Sequence, residues 1–288
     1  MEKNTCAGQI DPFLGANAPG NFFSGPYLPY AVARLGADTI YPQNAGGYQR
    51  GRPVKCISHL HVGGTGGAGR YGNIGVTAYP GPATVRPPYM ELTGEQAQAG
   101  YYSACTRAGV RLELTSTQHT GVHRFSFPQG QEANVFIDAA AVIQTEGAFP
   151  GEHAPGAGHI AVDATGACIG GYVEQVSACE FCGRGDFIGG WGHRFPYSVC
   201  FFARFDRPAR SVLLANSRGV YRSACAAGEG SCINASFGAG ELELRVGVSF
   251  VSVANARAYV DDEAAQSFDA LRQKAFDIWE QRVSCIRV

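Results

Sequence analysis

The chain has 288 residues, of which 45% are hydrophobic and 16% are charged, and its formal net charge is −1. This length and hydrophobic content are sufficient for one large domain or two small ones, and they exclude a wholly disordered chain. The charges form no basic stripe, which excludes the electrostatic signature of a nucleic-acid-binding protein. No apolar run reaches the roughly 18 residues that a membrane-spanning helix requires.

The N-terminal sequence, Met1 to Cys6, has no apolar stretch behind a basic start. We therefore predict no secretory signal in this chain, and we expect a soluble protein whose location the sequence leaves open. The first part of the chain, up to about residue 90, shows little periodicity and contains glycine- and proline-rich segments at 11–15, 25–29 and 63–69. Long irregular segments in a compact domain are commonly functional, so binding residues are expected among them.

Alternation of apolar and polar residues predicts β-strands along most of the remaining chain. The clearest alternation runs from Glu241 to Phe250, where every second residue is apolar. Runs rich in apolar, β-branched or aromatic residues predict further strands; they lie at 110–115, 123–127, 134–137, 198–205 and 211–215. Many short strands joined by glycine and proline turns predict an all-β protein built as a large, many-stranded β-sandwich.

A helical pattern occurs only near the end of the chain. Between Asp262 and Arg282, apolar residues recur at every third or fourth position and form one stripe. Asp261 and Ser267 are both suitable N-cap residues, so the pattern fits either two short helices or one kinked helix. The stripe fits a helix that docks on its own domain, and alternatively a linker that packs on a neighbour. We assign Trp279 to this packing.

The ten cysteines do not define a disulfide scaffold, because their density is too low and no secretory signal accompanies them. Cys179 and Cys182 have the spacing of half a zinc site or of a redox pair. No second pair with this spacing follows, and no βαβ pattern surrounds the motif. We therefore interpret the cysteines as loop thiols or as partners in a local disulfide, and we predict no metal site.

Several segments, taken together and in order, resemble the N-terminal part of family 92 glycoside hydrolases. They are Asp11-Pro-Phe-Leu-Gly, the stretch from Pro29 to Thr39, Ser58-His-Leu-His with the following Gly-Gly-Thr-Gly, residues 71–74, 100–103, 110–115, 121–128 and 248–253, and the closing helix from Phe268 to Trp279. The resemblance covers almost the whole chain. Two departures are the absence of an acidic residue in the loop after Gly64-Thr-Gly and the glycine- and cysteine-rich stretch at 179–193.

The resemblance implies a fold, a division into domains and a reaction. The fold is a supersandwich of the galactose-mutarotase-like type over residues 1–260, and residues 261–288 form a helical linker towards a helical-barrel catalytic domain. The reaction is the calcium-dependent, inverting hydrolysis of α-mannosides, as in N-glycan processing, and family members are often exported. The catalytic carboxylates and the calcium site belong to the barrel, which lies outside this sequence. No cofactor and no catalytic residue are therefore expected in this chain.

Four residues are candidates for contact with a sugar. His59 and His61 lie two positions apart on an extended segment, so both imidazoles are on one side, and the resemblance favours a structural or sugar-side role. A metal would need a third ligand from His119, His123 or His193, and no spacing fixes one. Trp191 stands among glycines and could cover the apolar face of a sugar ring. Tyr48 in an early loop is a weaker candidate, and we expect these side chains to meet at one end of the sandwich.

Three functions remain open from the sequence. The chain could be the carbohydrate-binding and structural module of an α-mannosidase, inactive alone and forming one wall of the mannose subsite. It could alternatively be a free-standing carbohydrate-binding module. A third possibility is an enzyme whose site is built around His59 and His61. The carboxylates show no spacing that forms the acid and base pair of a glycoside hydrolase.

Overall fold

The computed structural model describes residues 5–16, 20–40, 46–63, 71–143, 166–189 and 195–285. Within these residues the chain forms a β-sandwich of two antiparallel sheets, which confirms the predicted fold class. Two α-helices follow the last strand, and a short 3₁₀ helix, η1, spans Ala7–Gln9. Neither α-helix is long and apolar enough to cross a membrane.

The first sheet has seven strands in the order β1-β2-β3-β8-β15-β12-β13. Its strands are β1 (Gly36–Thr39), β2 (Val54–Leu60), β3 (Asn73–Pro80), β8 (Ala133–Asp138), β12 (Ser211–Asn216), β13 (Gly219–Tyr221) and β15 (Cys232–Phe237). The strands predicted at 134–137 and 211–215 are β8 and β12. The irregular first part of the chain contains β1, β2 and β3, which sequence periodicity did not show.

The second sheet has nine strands in the order β14-β9-β10-β11-β16-β7-β6-β5-β4. They are β4 (Leu92–Gln98), β5 (Tyr101–Thr106), β6 (Arg111–Ser116), β7 (Thr120–Phe127), β9 (Ala167–Gln175), β10 (Glu180–Ile188), β11 (Tyr197–Phe205), β14 (Cys225–Ala227) and β16 (Gly240–Ser249). The strand predictions at 110–115, 123–127, 198–205 and 241–250 are confirmed by β6, β7, β11 and β16.

The main hydrophobic core lies between the two sheets. Along β16, Leu242, Leu244, Val246 and Val248 are fully buried, while Glu241 is exposed, as period-two alternation requires. These residues belong to one cluster with inward-facing residues of the first sheet, such as Val135 and Ile233. This continuous apolar layer fixes the register of both sheets, because a slip of one residue would turn every apolar side chain outward.

The helices α1 (Val253–Glu263) and α2 (Phe268–Val283) cover the outer face of the nine-stranded sheet. Ser252 caps α1 and Ser267 caps α2, each by accepting a hydrogen bond from a backbone N–H of the first turn. The predicted cap at Ser267 is confirmed, whereas Asp261 lies inside α1 and forms an ion pair with Arg204. The apolar stripe of α2 docks on the domain itself, with Phe268 and Leu271 buried against the sheet.

Candidate functional site

A cavity of about 550 Å³ opens where several strands of both sheets begin or end. Leu60 ends β2, Asn73 begins β3, Tyr197 begins β11, and Phe250 directly follows β16. The connections of a sandwich gather at its ends, so side chains from distant parts of the sequence meet there. The described residues that line it are Ala31, Val32, Arg34, Leu60, His61, Val62, Tyr71, Asn73, Gly189, Phe195, Tyr197 and Phe250. We call this space the first cavity.

Among the described residues that line the first cavity, His61 is the one predicted binding residue. Its Nε2 lies 2.7 Å from Oδ1 of Asp38, and its Nδ1 lies 3.0 Å from the carbonyl oxygen of Arg34. Its ring also packs against Phe23, with ring centres 4.7 Å apart. Both ring nitrogens therefore have acceptor partners inside the protein, and a ligand would meet the imidazole through its ring.

Aromatic side chains form much of the rest of the lining. Tyr71 and Tyr197 meet edge to face, with ring centres 5.8 Å apart. The hydroxyl of Tyr197 donates a hydrogen bond to Oδ1 of Asn73, and burial raises the pKa of this hydroxyl. Phe195 and Phe250 are 81% and 58% exposed, so they stand at the mouth of the cavity. Rings with a few polar groups among them are typical of small-molecule sites, including sugar sites.

His59 lies in the core of the sandwich and is fully buried. Its Nδ1–H donates to the carbonyl oxygen of Ile74 at 2.6 Å, so the Nε2 of the neutral ring is left to accept. That atom lies 3.0 Å from Nε2 of His123, which is also fully buried. Burial lowers the pKa of His59 to about 4 and lowers that of His123 as well. The pair is neutral and joins the two sheets.

Tyr48 is also buried, and its hydroxyl donates to Oε2 of Glu95 on β4 at 2.7 Å. The same oxygen accepts a hydrogen bond from the hydroxyl of Tyr102. Tyr48 does not line the first cavity. Trp191 and His193 lie outside the described residues, although Gly189 and Phe195 on either side both line the cavity. The sugar-binding roles of Tyr48, His59, His61 and Trp191 stay predictions.

A second cavity, of about 260 Å³, lies beside the first. Its lining includes Phe22, Phe23, Tyr27 and Trp279, together with the turn between β4 and β5. Trp279 donates its indole N–H to the carbonyl oxygen of Tyr27 at 2.7 Å, which confirms that it packs α2 onto the domain. Because Phe23 lines the second cavity and its ring contacts His61, these two rings form a wall that both cavities share.

Calcium would need six to eight oxygen ligands. No three histidine, cysteine or carboxylate side chains of the described residues lie close enough together to hold a metal ion. The carboxylate of Asp38 is occupied by His61 and by the thiol of Cys56. The described side chains therefore do not fit a calcium ion. No carboxylate appears among the described residues that line the first cavity.

All ten cysteines lie within the described residues and are free thiols. Cys179 precedes β10, and its carbonyl oxygen accepts the N–H of Phe205. Cys182 lies within β10 and is buried beneath α1 with Phe202 and Val260. Cys179 lies in the turn before β10 and is only partly buried, whereas Cys182 is buried within the strand, and no disulfide joins them. Burial raises the pKa of Cys182 to about 11, which also disfavours the reactive thiolate.

Sequence reasoning did not single out Arg34, Asn73 or Tyr197 as residues of a binding site. Arg34 and Asn73 both fall in segments that carry the family resemblance, which was the available signal. Tyr197 carried none, because its place at the cavity depends on where β11, which it begins, lies in the nine-stranded sheet.

A sequence profile of the glycosyl hydrolase family 92 N-terminal domain matches residues 9–249, and the chain belongs to this family. The chain is 24% identical over 306 aligned positions to an uncharacterized secreted glycosidase of Arthroderma benhamiae, covering 96% of this chain and 38% of that protein. It thus spans well under half the length of this curated relative.

Two solved structures share the fold. One is a family 92 α-mannosidase of Bacteroides thetaiotaomicron, with a TM-score of 0.82 and 21% identity over 98% of this chain and 38% of that chain. The other is a family 92 inverting mannosidase of the same species, with a TM-score of 0.76 and 15% identity over 98% of this chain and 36% of that chain. At these identities the likeness establishes the architecture.

Proposed function

We propose that this domain is the carbohydrate-binding and structural module of an α-mannosidase, and that the first cavity forms one wall of its mannose subsite. The other walls, the acid and base carboxylates and a calcium ion would come from a helical-barrel catalytic domain. Inverting hydrolysis needs two carboxyl groups about 6.5–9.5 Å apart with a water between them. The described lining of the cavity supplies neither group, so the chain alone is expected to be inactive.

The lining of the first cavity carries this proposal. A sugar presents an apolar ring face and a rim of hydroxyl groups, which suits a site of aromatic rings with a few fixed polar groups. Phe195, Phe250 and Tyr197 supply rings, and Arg34 supplies hydrogen-bond donors. Family membership and the names of the related mannosidases support a mannoside as the ligand.

Exposed apolar side chains next to the cavity favour a module that another domain covers at this surface over a free-standing module. Tyr30 is 87% exposed and Val251 is 77% exposed, and they neighbour the lining residues Ala31 and Phe250 in the sequence. Large exposed apolar side chains that gather around a cavity mark a surface that another domain covers. A free-standing carbohydrate-binding module would be expected to surround its site with polar residues.

The test compares two aromatic residues of similar exposure. Phe250 at the first cavity is 58% exposed, and Tyr89 is 54% exposed beside Met90, which pairs with the start of β2 at the other end of the sandwich. We expect the purified chain to bind methyl α-mannoside weakly, as measured by NMR titration. Phe250→Ala should weaken this binding by about two- to tenfold, the energy of one ring contact.

Tyr89→Ala should leave the affinity for methyl α-mannoside unchanged. Chemical-shift changes should be confined to residues that line the first cavity. Equal loss of affinity in the two variants would contradict the proposal, and so would shift changes at the Tyr89 end of the sandwich.

A further inference from the structure

Arg34 is fixed at both its backbone and its side chain. Its N–H donates to the carbonyl oxygen of His59 at 2.8 Å, and its carbonyl oxygen lies 3.0 Å from Nδ1 of His61. Its Nε–H donates to the carbonyl oxygen of Ala31 at 3.0 Å, and its guanidinium carbon lies 5.9 Å from the ring centre of Tyr27. The guanidinium group is therefore held in place at the wall of the first cavity.

The two Nη groups of Arg34 have no hydrogen-bond or ion-pair partner among the described residues. Other polar side chains of the lining are already engaged. His61 uses both ring nitrogens, and Asn73 accepts from Tyr197 and donates to the carbonyl oxygen of Ala141. An arginine offers only donors, so the group that completes this site must supply acceptor oxygens.

The charge of the lining is also unbalanced. Arg34 carries a fixed positive charge, and the described lining contains no carboxylate. Asp38, the acidic partner of His61, is 3% exposed and does not line the cavity. A neutral sugar hydroxyl both donates and accepts, whereas the planar guanidinium fork matches two oxygens of one anion.

We infer that the sugar bound in the first cavity carries an anionic group, a phosphate ester or a carboxylate, that pairs with the free Nη groups of Arg34. This inference rests on the proposed function, because it specifies the class of mannoside or related sugar that the same cavity binds. Anionic recognition makes the affinity for the charged sugar depend on salt, since the pair is partly open to solvent.

The experiment measures the affinity of the purified chain for mannose, mannose 6-phosphate and mannuronate at low ionic strength, with inorganic phosphate and acetate as sugar-free probes. At least one charged sugar should bind about tenfold or more tightly than mannose. The two charged sugars distinguish phosphate from carboxylate. The sugar-free probes should bind more weakly than the charged sugar, because they lack the ring contacts.

Arg34→Gln should abolish the preference for the charged sugar while retaining weak binding of mannose. Arg34→Lys should keep part of the preference, because the charge remains and the fork is lost. The matched control is Arg107→Gln, since Arg107 is paired with Glu91 at the other end of the sandwich. Thermal unfolding of each variant confirms that the fold is intact.

Equal affinity for mannose and both charged sugars would overturn the inference and leave the proposed function standing. Binding of none of the sugars would overturn both. A preference that survives Arg34→Gln in a folded protein would also overturn the inference, because another group would then recognise the anion.

Discussion

The imidazole of His59 on β2 lies 3.0 Å from that of His123 on β7, so a hydrogen bond between two buried side chains connects the two sheets. His59 must be neutral to share it, because its Nδ1–H already donates to Ile74 and its Nε2 must accept the hydrogen bond from His123. The opposite nitrogen of His123, Nδ1, is buried without a described partner. Protonation of either ring would place a charge inside the sandwich.

The stability of the domain should therefore fall as the pH falls from about 6.5 to 4. The pKa of His59 is about 4 in the folded protein, below its ordinary 6.5, so the unfolded chain binds more protons in this window. The contribution of His59 to the free energy of unfolding is fully present above pH 6.5. It decreases as the pH falls, and the loss from His59 alone reaches about 3 kcal/mol near pH 4. His123 acts in the same direction. Urea unfolding at several pH values measures the loss.

A variant with both His59→Gln and His123→Gln should show a flatter dependence of stability on pH, because glutamine keeps a hydrogen-bonding amide and does not titrate. His119→Gln is the control, since His119 is partly exposed beside Glu263 and its replacement leaves the buried pair intact. An unchanged slope in the double variant would show that the loss comes from other groups.

Gly121 should not tolerate a side chain, because His59 occupies the space. A Cβ at Gly121 would lie 2.6 Å from Cδ2 of His59 and 2.9 Å from Cδ1 of Leu35. We expect Gly121→Ala to lower the free energy of unfolding by about 1–3 kcal/mol, the usual effect of overpacking. Gly170→Ala in β9 is a matched control, since its Cβ would meet only Asp186, at 3.7 Å. Equal effects of the two substitutions would contradict the tight fit at His59.

Cys182 should behave as a buried apolar residue. Cys182→Ser places a hydroxyl group among Phe202, Ala256 and Val260, and we expect a loss of about 1–2 kcal/mol. The exposed Cys225 on the neighbouring edge should tolerate the same change within about 0.5 kcal/mol. The native chain should purify without zinc, as elemental analysis would show. One zinc per chain, with unfolding on chelation, would disprove this interpretation.

The purified chain should not hydrolyse aryl α-mannosides above the background rate. The reason is that the described residues lining the first cavity include no carboxylate to act as acid or base. A sensitive fluorogenic mannoside, tested with and without added calcium, provides the measurement. Turnover that requires calcium and disappears with a chelator would refute the prediction.

Alternation, or runs rich in β-branched and aromatic residues, predicted β6, β7, β8, β11, β12 and β16. They did not predict β2 and β3, because nearly all residues of these strands are buried and no alternation remains. The strand β10 was not predicted because its glycines interrupt the strand pattern. A Cβ at Gly183 would collide with the backbone oxygen of Tyr172, and one at Gly185 with that of Ala139. The glycines of this stretch therefore reflect close packing within the sandwich.

Less of the candidate site than of the fold could be predicted from the sequence. His61 was identified from its spacing to His59, and the structure places it at a cavity. The same spacing could not show that the ring of His59 faces His123, because β7 lies in the other sheet. The residues next to Arg34 in the sequence did not indicate binding. Its proposed role depends on its Nη groups having no partner among the described residues, which only the folded structure shows.

The two ends of the described chain pack against each other. The N–H of Ala7 donates to Oε2 of Glu280 at 2.6 Å, and Leu28 and Ala31 pack against Ala275 and Ile278. During synthesis, these contacts of the N-terminal segment therefore cannot form until α2 has left the ribosome. Contacts of such long sequence separation slow folding. Because Ala31 also lines the first cavity, the wall it forms is completed only when nearly all of the described chain has been made.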